Sequence, residues 1–276
     1  MYSHLYLKTN SIDEFAIDES IDNLKFLGIE YGLTFANTYQ NLPALNGQML
    51  QDTKVDKTDL TANFWLQFSD YNDFLLAKHA FNKYFVTNEL IRLRTSNEPY
   101  LVYYVLPTNF EIKPTQPGSH TALISVKFEN PSGCRYSLYR SDQVNNYDEF
   151  GMNLPANEEL KYVLRVNNND KFTIKNLSDM AIKPFEQHHD LKIIINFSGN
   201  SLKLTNTTNN SEWQYNQHSD GNDTIVLNGV KTTCNNQPAS INTDYGYIDL
   251  NVGDNNIQVS GCDNATITFS FPFIYA

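Results

Sequence analysis

The C-terminal stretch, residues 250–275, constrains the fold most, because apolar and polar residues alternate in it on both sides of Gly261. The apolar members of this alternation are Ile257, Val259, Ile267, Phe269 and Phe271. Successive side chains of a strand point to opposite faces, so this pattern, interrupted by the turn-forming residues 261–264, is typical of a β-hairpin. The stretch therefore predicts that the chain ends in antiparallel sheet and that an earlier sheet exists for it to join. Phe269, Phe271 and Phe273 are expected in the core.

The composition is typical of a globular, β-rich chain. The chain has 276 residues, of which 41% are hydrophobic and 13% aromatic, and this length favours roughly two domains. The formal net charge of −11 argues against binding to nucleic acid or to an anionic membrane surface, since both need basic patches. The N-terminus lacks a signal-peptide pattern, and the three cysteines are far apart without a CxxC motif. We therefore expect folding in a reducing cytoplasm.

One segment of the first half has the periodicity of a helix. Ser69 or Asp70 provides an N-cap for residues 70–86, in which apolar side chains recur at intervals of three and four. The predicted stripe contains Tyr71, Phe74, Leu75, Lys78, Phe81, Tyr84 and Phe85. A stripe this wide predicts that the helix lies across a sheet.

The second half is a succession of short strand-like segments whose separators are rich in Asn, Asp, Gly and Ser. Short strands at this spacing, without a convincing helix between them, indicate a β-sandwich. Residues 129–158 have few apolar residues and several turn formers, which places a domain boundary near them. The sequence thus predicts an N-terminal domain of residues 1–140 and a C-terminal β-sandwich of residues 141–276.

Residue patterns typical of catalysis or metal binding are absent from the sequence. There is no nucleophile elbow, P-loop, HExxH or GxGxxG motif, and His79 has no partner at helical spacing. His188 and His189 are adjacent, so on an extended segment their side chains would point to opposite faces. We therefore expect a protein that is not an enzyme and that carries neither a cofactor nor a metal. A cell-wall hydrolase is the least favoured of the functions considered.

Several aromatic residues of the second half offer a candidate saccharide site. Trp213 and Tyr215 lie two positions apart on a predicted strand and share a face, and exposed aromatic faces stack on sugar rings. Tyr245 and Tyr247 have the same spacing. Burial of Trp213 and Tyr215 in the core is the favoured interpretation, and saccharide binding by these four residues is the alternative.

The second half resembles the distal tail protein (Dit) family of siphophages that infect Gram-positive bacteria. The resemblance rests on motifs in a fixed order, which are FTIKN at 172–176, IKP at 182–184, the strand at 191–196, LTNTT at 204–208, DTIVLNG at 223–229 and GDNNIQVSG at 253–261. The first half is similar to the ring-forming domain of that family through its single helix on a sheet. Residues 43–47 fall where the family often has a Pro-Gly-Arg-x-Gly loop, but Ala44 and Leu45 replace the usual Gly and Arg.

The resemblance implies a mainly β fold with two parts: an N-terminal domain with one helix packed on a sheet, and a C-terminal galectin-like antiparallel β-sandwich. It also implies a structural role. Six N-terminal domains would close into a ring between the tail tube protein and the tail-tip protein, at the tail tip of the virion. The sandwiches would project outward and carry baseplate or receptor-binding proteins. A protein that binds host cell-wall saccharide is the alternative function.

Overall fold

The computed structural model describes residues 3–43, 46–146 and 160–276 of the chain. Ala44 and Leu45, where the sequence departs from the family loop, lie outside the described residues, as do residues 147–158 of the predicted boundary segment. The chain divides into two compact units, one running to Arg135 and including Ala276, the other comprising Tyr136–Tyr275. The domain limits of 1–140 and 141–276 stay a prediction.

The first unit is an antiparallel sheet with one helix. Its elements are β1 (Leu5–Lys8), β2 (Phe15–Ala16), β3 (Leu24–Tyr31), β4 (Phe35–Gln40), β5 (Met49–Val55), β6 (Thr58–Gln67), α1 (Tyr71–Lys83), β7 (Ile91–Thr95), β8 (Leu101–Pro114) and β9 (Thr121–Asn130). The strands of the main sheet follow the order β2-β1-β7-β8-β9-β6-β3. Strands β4 and β5 form a separate two-stranded sheet.

Helix α1 begins at the predicted cap. The Asp70 carboxylate accepts a hydrogen bond from the Asp73 backbone N–H at 2.9 Å, and the helix ends at Lys83, short of the predicted Val86. Its buried face is narrower than the predicted stripe, because adjacent helical residues point about 100° apart. Phe74 and Phe81 are buried, whereas Tyr71 is 68% exposed. The Phe81 ring packs edge to face against the ring of Phe64, a residue of the sheet, with the ring centres 5.3 Å apart. The helix therefore packs on the sheet as expected.

The second unit is made of antiparallel strands and two short 3₁₀ helices. Its strands are β10 (Arg135–Arg140), β11 (Val163–Asn167), β12 (Lys171–Asn176), β13 (Lys192–Asn206), β14 (Ser211–Tyr215), β15 (Ser219–Asp220), β16 (Ile225–Asn228), β17 (Lys231–Cys234), β18 (Gln237–Pro238), β19 (Gly253–Ser270) and β20 (Pro272–Tyr275). The 3₁₀ helices are Ser141–Asn146 and Ser240–Asn242.

Two long strands, β13 and β19, join the two layers of this unit. They pair along most of their length, with shifts in register around Gly199. On one side of these register shifts, the hydrogen-bonded strands lie in the order β12-β19-β13-β14. On the other side they lie in the order β11-β19-β13-β16-β17-β18. The shared strands thus belong to two sheets, which form an antiparallel β-sandwich. The predicted fold class is confirmed, since both units are mainly β and the one α-helix of the described residues lies on the first sheet.

The prediction of a C-terminal hairpin is wrong. Gly261 lies inside the single strand β19, and the residues on both sides of Gly199 belong to the single strand β13. Gly199 and Gly261 both have positive φ angles, of 142° and 87°. The two glycines lie at the same level of the paired strands, and both strands bend there. The sequence pattern that is typical of a turn therefore marks a corner between two sheets. Phe269, Phe271 and Phe273 are each 0% exposed, as predicted.

Gly199→Ala is expected to destabilise the second unit by about 2 kcal/mol. A Cβ at this position would lie 2.9 Å from the Cys262 Cα, in a backbone conformation that L-residues rarely adopt. Gly221→Ala is the matched control, because Gly221 also has a positive φ, of 93°, but no described atom within 4 Å of the added Cβ. Denaturant unfolding of both variants measures the difference in the free energy of unfolding. Equal losses of stability in the two variants would contradict a steric origin of the effect at the corner.

No helix among the residues that the structure describes is both long enough and apolar enough to cross a membrane.

Candidate assembly surface in the first unit

The hairpin of β4 and β5 stands apart from the main sheet. In the described part of the chain its strands pair only with each other, from Phe35 opposite Val55 to Gln40 opposite Met49. Ala36 and Val55 are partly buried, and the other residues of both strands are exposed. An isolated two-stranded hairpin is at best marginally stable in water. This hairpin therefore has the properties of an element that is completed by a partner.

One face of the hairpin carries four large apolar side chains. Phe35 lies opposite Val55 and Tyr39 lies opposite Leu50, with the polar pair Asn37 and Thr53 between them. Phe35 and Tyr39 share a face because side chains alternate along a strand, and the register shift between Thr38 and Tyr39 brings Leu50 opposite Tyr39. Phe35 and Leu50 are each 54% exposed, and Tyr39 is 51% exposed. Packing this face against another polypeptide would remove the apolar surface from water.

Strand β3 leads into this hairpin and forms an edge of the main sheet. Among the described strands it pairs only with β6, so the backbone N–H and C=O groups of its other side are available for strand pairing. Leu27, at a bulge in the register, is 58% exposed, and Leu33, just beyond the strand, is 44% exposed. The free edge and the apolar face of the hairpin are thus consecutive in the chain.

A groove lies beside this edge on the outer face of β3, β6 and β9. It has a volume of about 480 Å³, and its walls include Leu27, Ile29, Asn63, Leu123 and Ser125. Leu123 is 50% exposed. We use the term assembly surface for the hairpin β4–β5, the edge strand β3 and this groove. A free strand edge, an apolar face and a shallow groove are suited to binding another polypeptide rather than to chemical catalysis.

The assembly surface also carries a hydrogen-bonded polar cluster. The Arg135 guanidinium donates to the Tyr31 hydroxyl at 3.0 Å and to the Glu98 carboxylate at 3.1 Å. The same guanidinium lies 5.3 Å from the centre of the Tyr31 ring, in a cation–π arrangement. These contacts hold Tyr31 at the end of the edge strand.

The structure does not bring the four predicted saccharide residues together. Trp213 and Tyr215 are 0% and 4% exposed, and the Trp213 indole N–H donates to the Thr232 hydroxyl at 3.2 Å. Their ring faces are packed in the core, so they offer no stacking surface to a saccharide. Tyr245 is 70% exposed, in a left-handed backbone conformation with φ of 59°. Tyr247 is half-buried and stacks on the Phe185 ring at 5.2 Å, a contact that the sequence pattern does not predict.

The histidines considered as metal ligands occupy separate environments. The His189 Nδ1 lies 3.1 Å from the Ala181 carbonyl oxygen, and burial lowers the pKa of its imidazole. His188 adopts a left-handed backbone conformation with φ of 55°. Within the described ranges, no group of three or more His, Cys, Asp or Glu side chains has the arrangement of a metal site.

Comparison of the sequence with family models identifies the class of the first unit. Residues 10–130 match the model of a family described as phage tail protein RIFT-related domain. The first unit is therefore similar to a domain of phage tail proteins. No curated protein sequence matches it.

The whole chain has the fold of a known tail protein. The Dit protein of phage SPP1, described as a paradigm of the hub adsorption apparatus in phages that infect Gram-positive bacteria, aligns over 98% of this chain and 99% of its own, with a TM-score of 0.69 and 9% identity. A chain of the phage p2 baseplate in its activated conformation with Sr aligns over 98% of both chains, with a TM-score of 0.47 and 9% identity. The resemblance to the siphophage distal tail protein family that the motifs predict is confirmed.

Proposed function

We propose that six copies of this chain close into a ring through their first units, at the distal end of a phage tail. The ring links the tail tube protein to the tail-tip protein, and the second unit provides docking for baseplate or receptor-binding proteins. The observation that carries the proposal is the assembly surface, whose apolar hairpin and free sheet edge have no partner within the described chain. The chain folds in the host cytoplasm and is incorporated into the virion.

A ring follows from the kind of contact that this surface would make. The hairpin of one copy can pack against a different surface of the next copy, which is a heterologous contact. Such contacts generate a closed ring when the rotation between copies closes, and an open filament when it does not. A chain that joins two cylindrical tail components requires the closed form.

The charge of the chain supports a role around a DNA passage. The formal net charge is −11, and like charges would keep DNA from adhering to the wall of the ring. We propose that some carboxylates of the first unit face the lumen. An experimental structure of the ring whose inner wall is basic or apolar would contradict this assignment.

The mass of the purified protein tests the ring. Native mass spectrometry across a range of concentrations should give a species of six subunits, and electron microscopy should show six-fold particles. Because a subunit could close only on a neighbouring tail component, the measurement is repeated with the tail-tip protein added. A chain that stays monomeric under both conditions would overturn the proposal.

Saccharide binding by the second unit is a second candidate function, and one observation favours it. Tyr245 projects an aromatic ring from a strained, left-handed backbone position, and strain of this kind is often found at functional sites. Tyr245→Ala should abolish binding to fragments of host cell wall on a glycan array. Ile241→Ala, at a position that is 82% exposed, is the control and should bind as the unmodified protein does. If the unmodified protein binds no glycan, this candidate is removed.

A further inference from the structure

A short antiparallel bridge joins two loops of the second unit. The backbones of Ile182 and Leu250 exchange two hydrogen bonds, of 2.8 and 2.9 Å. The side chains around this bridge are buried and exposed in turn. The buried ones are Ile182, Pro184, Ile248 and Leu250. The residues between them reach the surface and form what we term the surface cluster, which consists of Lys183, Phe185, Tyr247 and Asp249.

The two aromatic rings of the surface cluster stack on each other. The ring centres of Phe185 and Tyr247 are 5.2 Å apart, and their planes are inclined by 23°. Phe185 is nevertheless 57% exposed, so the face of its ring that is turned away from Tyr247 is open to solvent. An aromatic ring that is held in place and has one open face is suited to stack on the C–H face of a sugar ring.

Asp249 places an unused acceptor in the surface cluster. Its backbone is held in position, because its carbonyl oxygen accepts hydrogen bonds from the side-chain amides of Asn206 at 2.8 Å and Asn209 at 3.0 Å. Neither carboxylate oxygen has a hydrogen-bond partner among the residues that the structure describes, and of the two only Oδ1 is buried. Burial, and then the nearby Glu186 carboxylate, raise the pKa of this carboxyl, as expected where no donor compensates for desolvation. The Oδ2 atom is therefore an acceptor available to a ligand at the surface.

The charges around the surface cluster favour a neutral ligand. The Lys183 ammonium donates to the Glu186 carboxylate at 2.7 Å, and this hydrogen bond, followed by the charge of Asp249, raises the pKa of Lys183. Two carboxylates thus lie beside one ammonium, on a chain whose formal net charge is −11. This local excess of negative charge repels an anionic polymer, whereas it does not oppose a neutral hydroxyl donor.

We propose that the surface cluster binds a neutral saccharide, with one sugar ring on the open face of Phe185 and a sugar hydroxyl donating to the Asp249 carboxylate. The inference rests on saccharide binding, the second candidate function, and names its site and its class of ligand. Two residues of extended chain, such as separate Tyr247 from Asp249, span about 7 Å, a distance that one sugar with its hydroxyls bridges. A saccharide combines an apolar C–H face with hydroxyl donors on one small ring, which is the combination that the ring stack and the carboxylate require.

Phe185→Ala and Asp249→Ala test the inference on an array that carries neutral oligosaccharides of glucose, galactose and N-acetylglucosamine beside a glycerol-phosphate polymer. The unmodified full chain should bind at least one neutral oligosaccharide. Each variant should bind it about tenfold more weakly, as expected for the loss of one aromatic contact or one charge-assisted hydrogen bond. The melting temperature of Asp249→Ala should not fall, because the carboxylate that it removes makes no hydrogen bond within the described part of the chain.

Two further variants of the second unit are the matched controls. Val163→Ala truncates an apolar side chain on β11 that is 56% exposed, close to the exposure of Phe185. Asp263→Ala removes an exposed carboxylate at the corner of β19. Both controls should bind the oligosaccharide as the unmodified protein does.

The outcomes separate this inference from the candidate function on which it rests. Saccharide binding that Tyr245→Ala abolishes, but that either Phe185→Ala or Asp249→Ala leaves unchanged, would overturn the inference and leave the candidate function in place. Equal weakening in Asp249→Ala and Asp263→Ala would also overturn it, as would binding to the glycerol-phosphate polymer alone. Unmodified protein that binds nothing on the array would overturn the inference and the candidate function together.

Discussion

Phe271→Asp is expected to unfold the second unit while the first unit stays folded. The Phe271 side chain is 0% exposed and makes edge-to-face ring contacts with Tyr162 at 5.6 Å and with Phe273 at 5.5 Å. A carboxylate at this position would be buried without a partner, and an aromatic ring would be lost from the core. Together these changes should cost more than about 4 kcal/mol, which is a large part of the stability of a domain.

Limited proteolysis followed by mass spectrometry measures this effect, because an unfolded second unit is digested and a folded first unit survives. Phe185→Asp is the control, since it introduces the same charge in the same unit at a side chain that is 57% exposed. The control should be as resistant as the unmodified protein. If Phe271→Asp led to digestion of both units, the chain would not contain two independently stable parts.

The strands and the core could be predicted because they depend on local patterns. Alternation along 265–273 placed Phe269, Phe271 and Phe273 in the core, where all three lie. The corner at Gly199 and Gly261 could not be predicted in the same way. A glycine among polar residues has the same local signal in a hairpin turn and in a bend of a long strand. The difference lies in whether the partner strand bends at the same level, which is a contact between distant parts of the sequence.

The candidate assembly surface was not predicted from the sequence. The local pattern of residues 35–55 does not predict the hairpin of β4 and β5. Sequence methods detect a hairpin mainly through the contrast between a buried face and an exposed one, and this hairpin is exposed on both faces. The available sequence signal for this hairpin is the spacing of its apolar residues, with Phe35 and Tyr39 before a loop and Leu50 and Val55 after it.

Trp213 and Tyr215 show how far a binding site can be predicted from the sequence. Their spacing showed correctly that they could share a face, but it carries no information on which face of the strand points inward. The structure places both rings inside, where the Trp213 indole N–H donates a hydrogen bond to the Thr232 hydroxyl. Only Tyr245 and, in part, Tyr247 remain accessible to a saccharide.

Aspartates in place of Phe35 and Leu50 are expected to prevent ring formation without unfolding the first unit. Each of these side chains is 54% exposed, so each contributes little to the stability of the isolated subunit. Full burial of a Leu or Phe side chain at an interface contributes about 1.5–3 kcal/mol. Loss of both side chains should therefore raise the concentration needed for assembly by about 100-fold or more.

The double variant Ala36→Asp with Gln40→Asp is the matched control for this experiment. It adds the same two charges to the opposite face of the same strand pair, where Ala36 faces Lys54 and Gln40 faces Met49. A chain of net charge −11 repels its own copies, so added carboxylates alone should weaken assembly slightly in both variants. Native mass spectrometry and thermal unfolding of the two variants separate this general repulsion from the loss of apolar contact. If both variants assemble equally well, the apolar face of the hairpin is not part of the subunit interface.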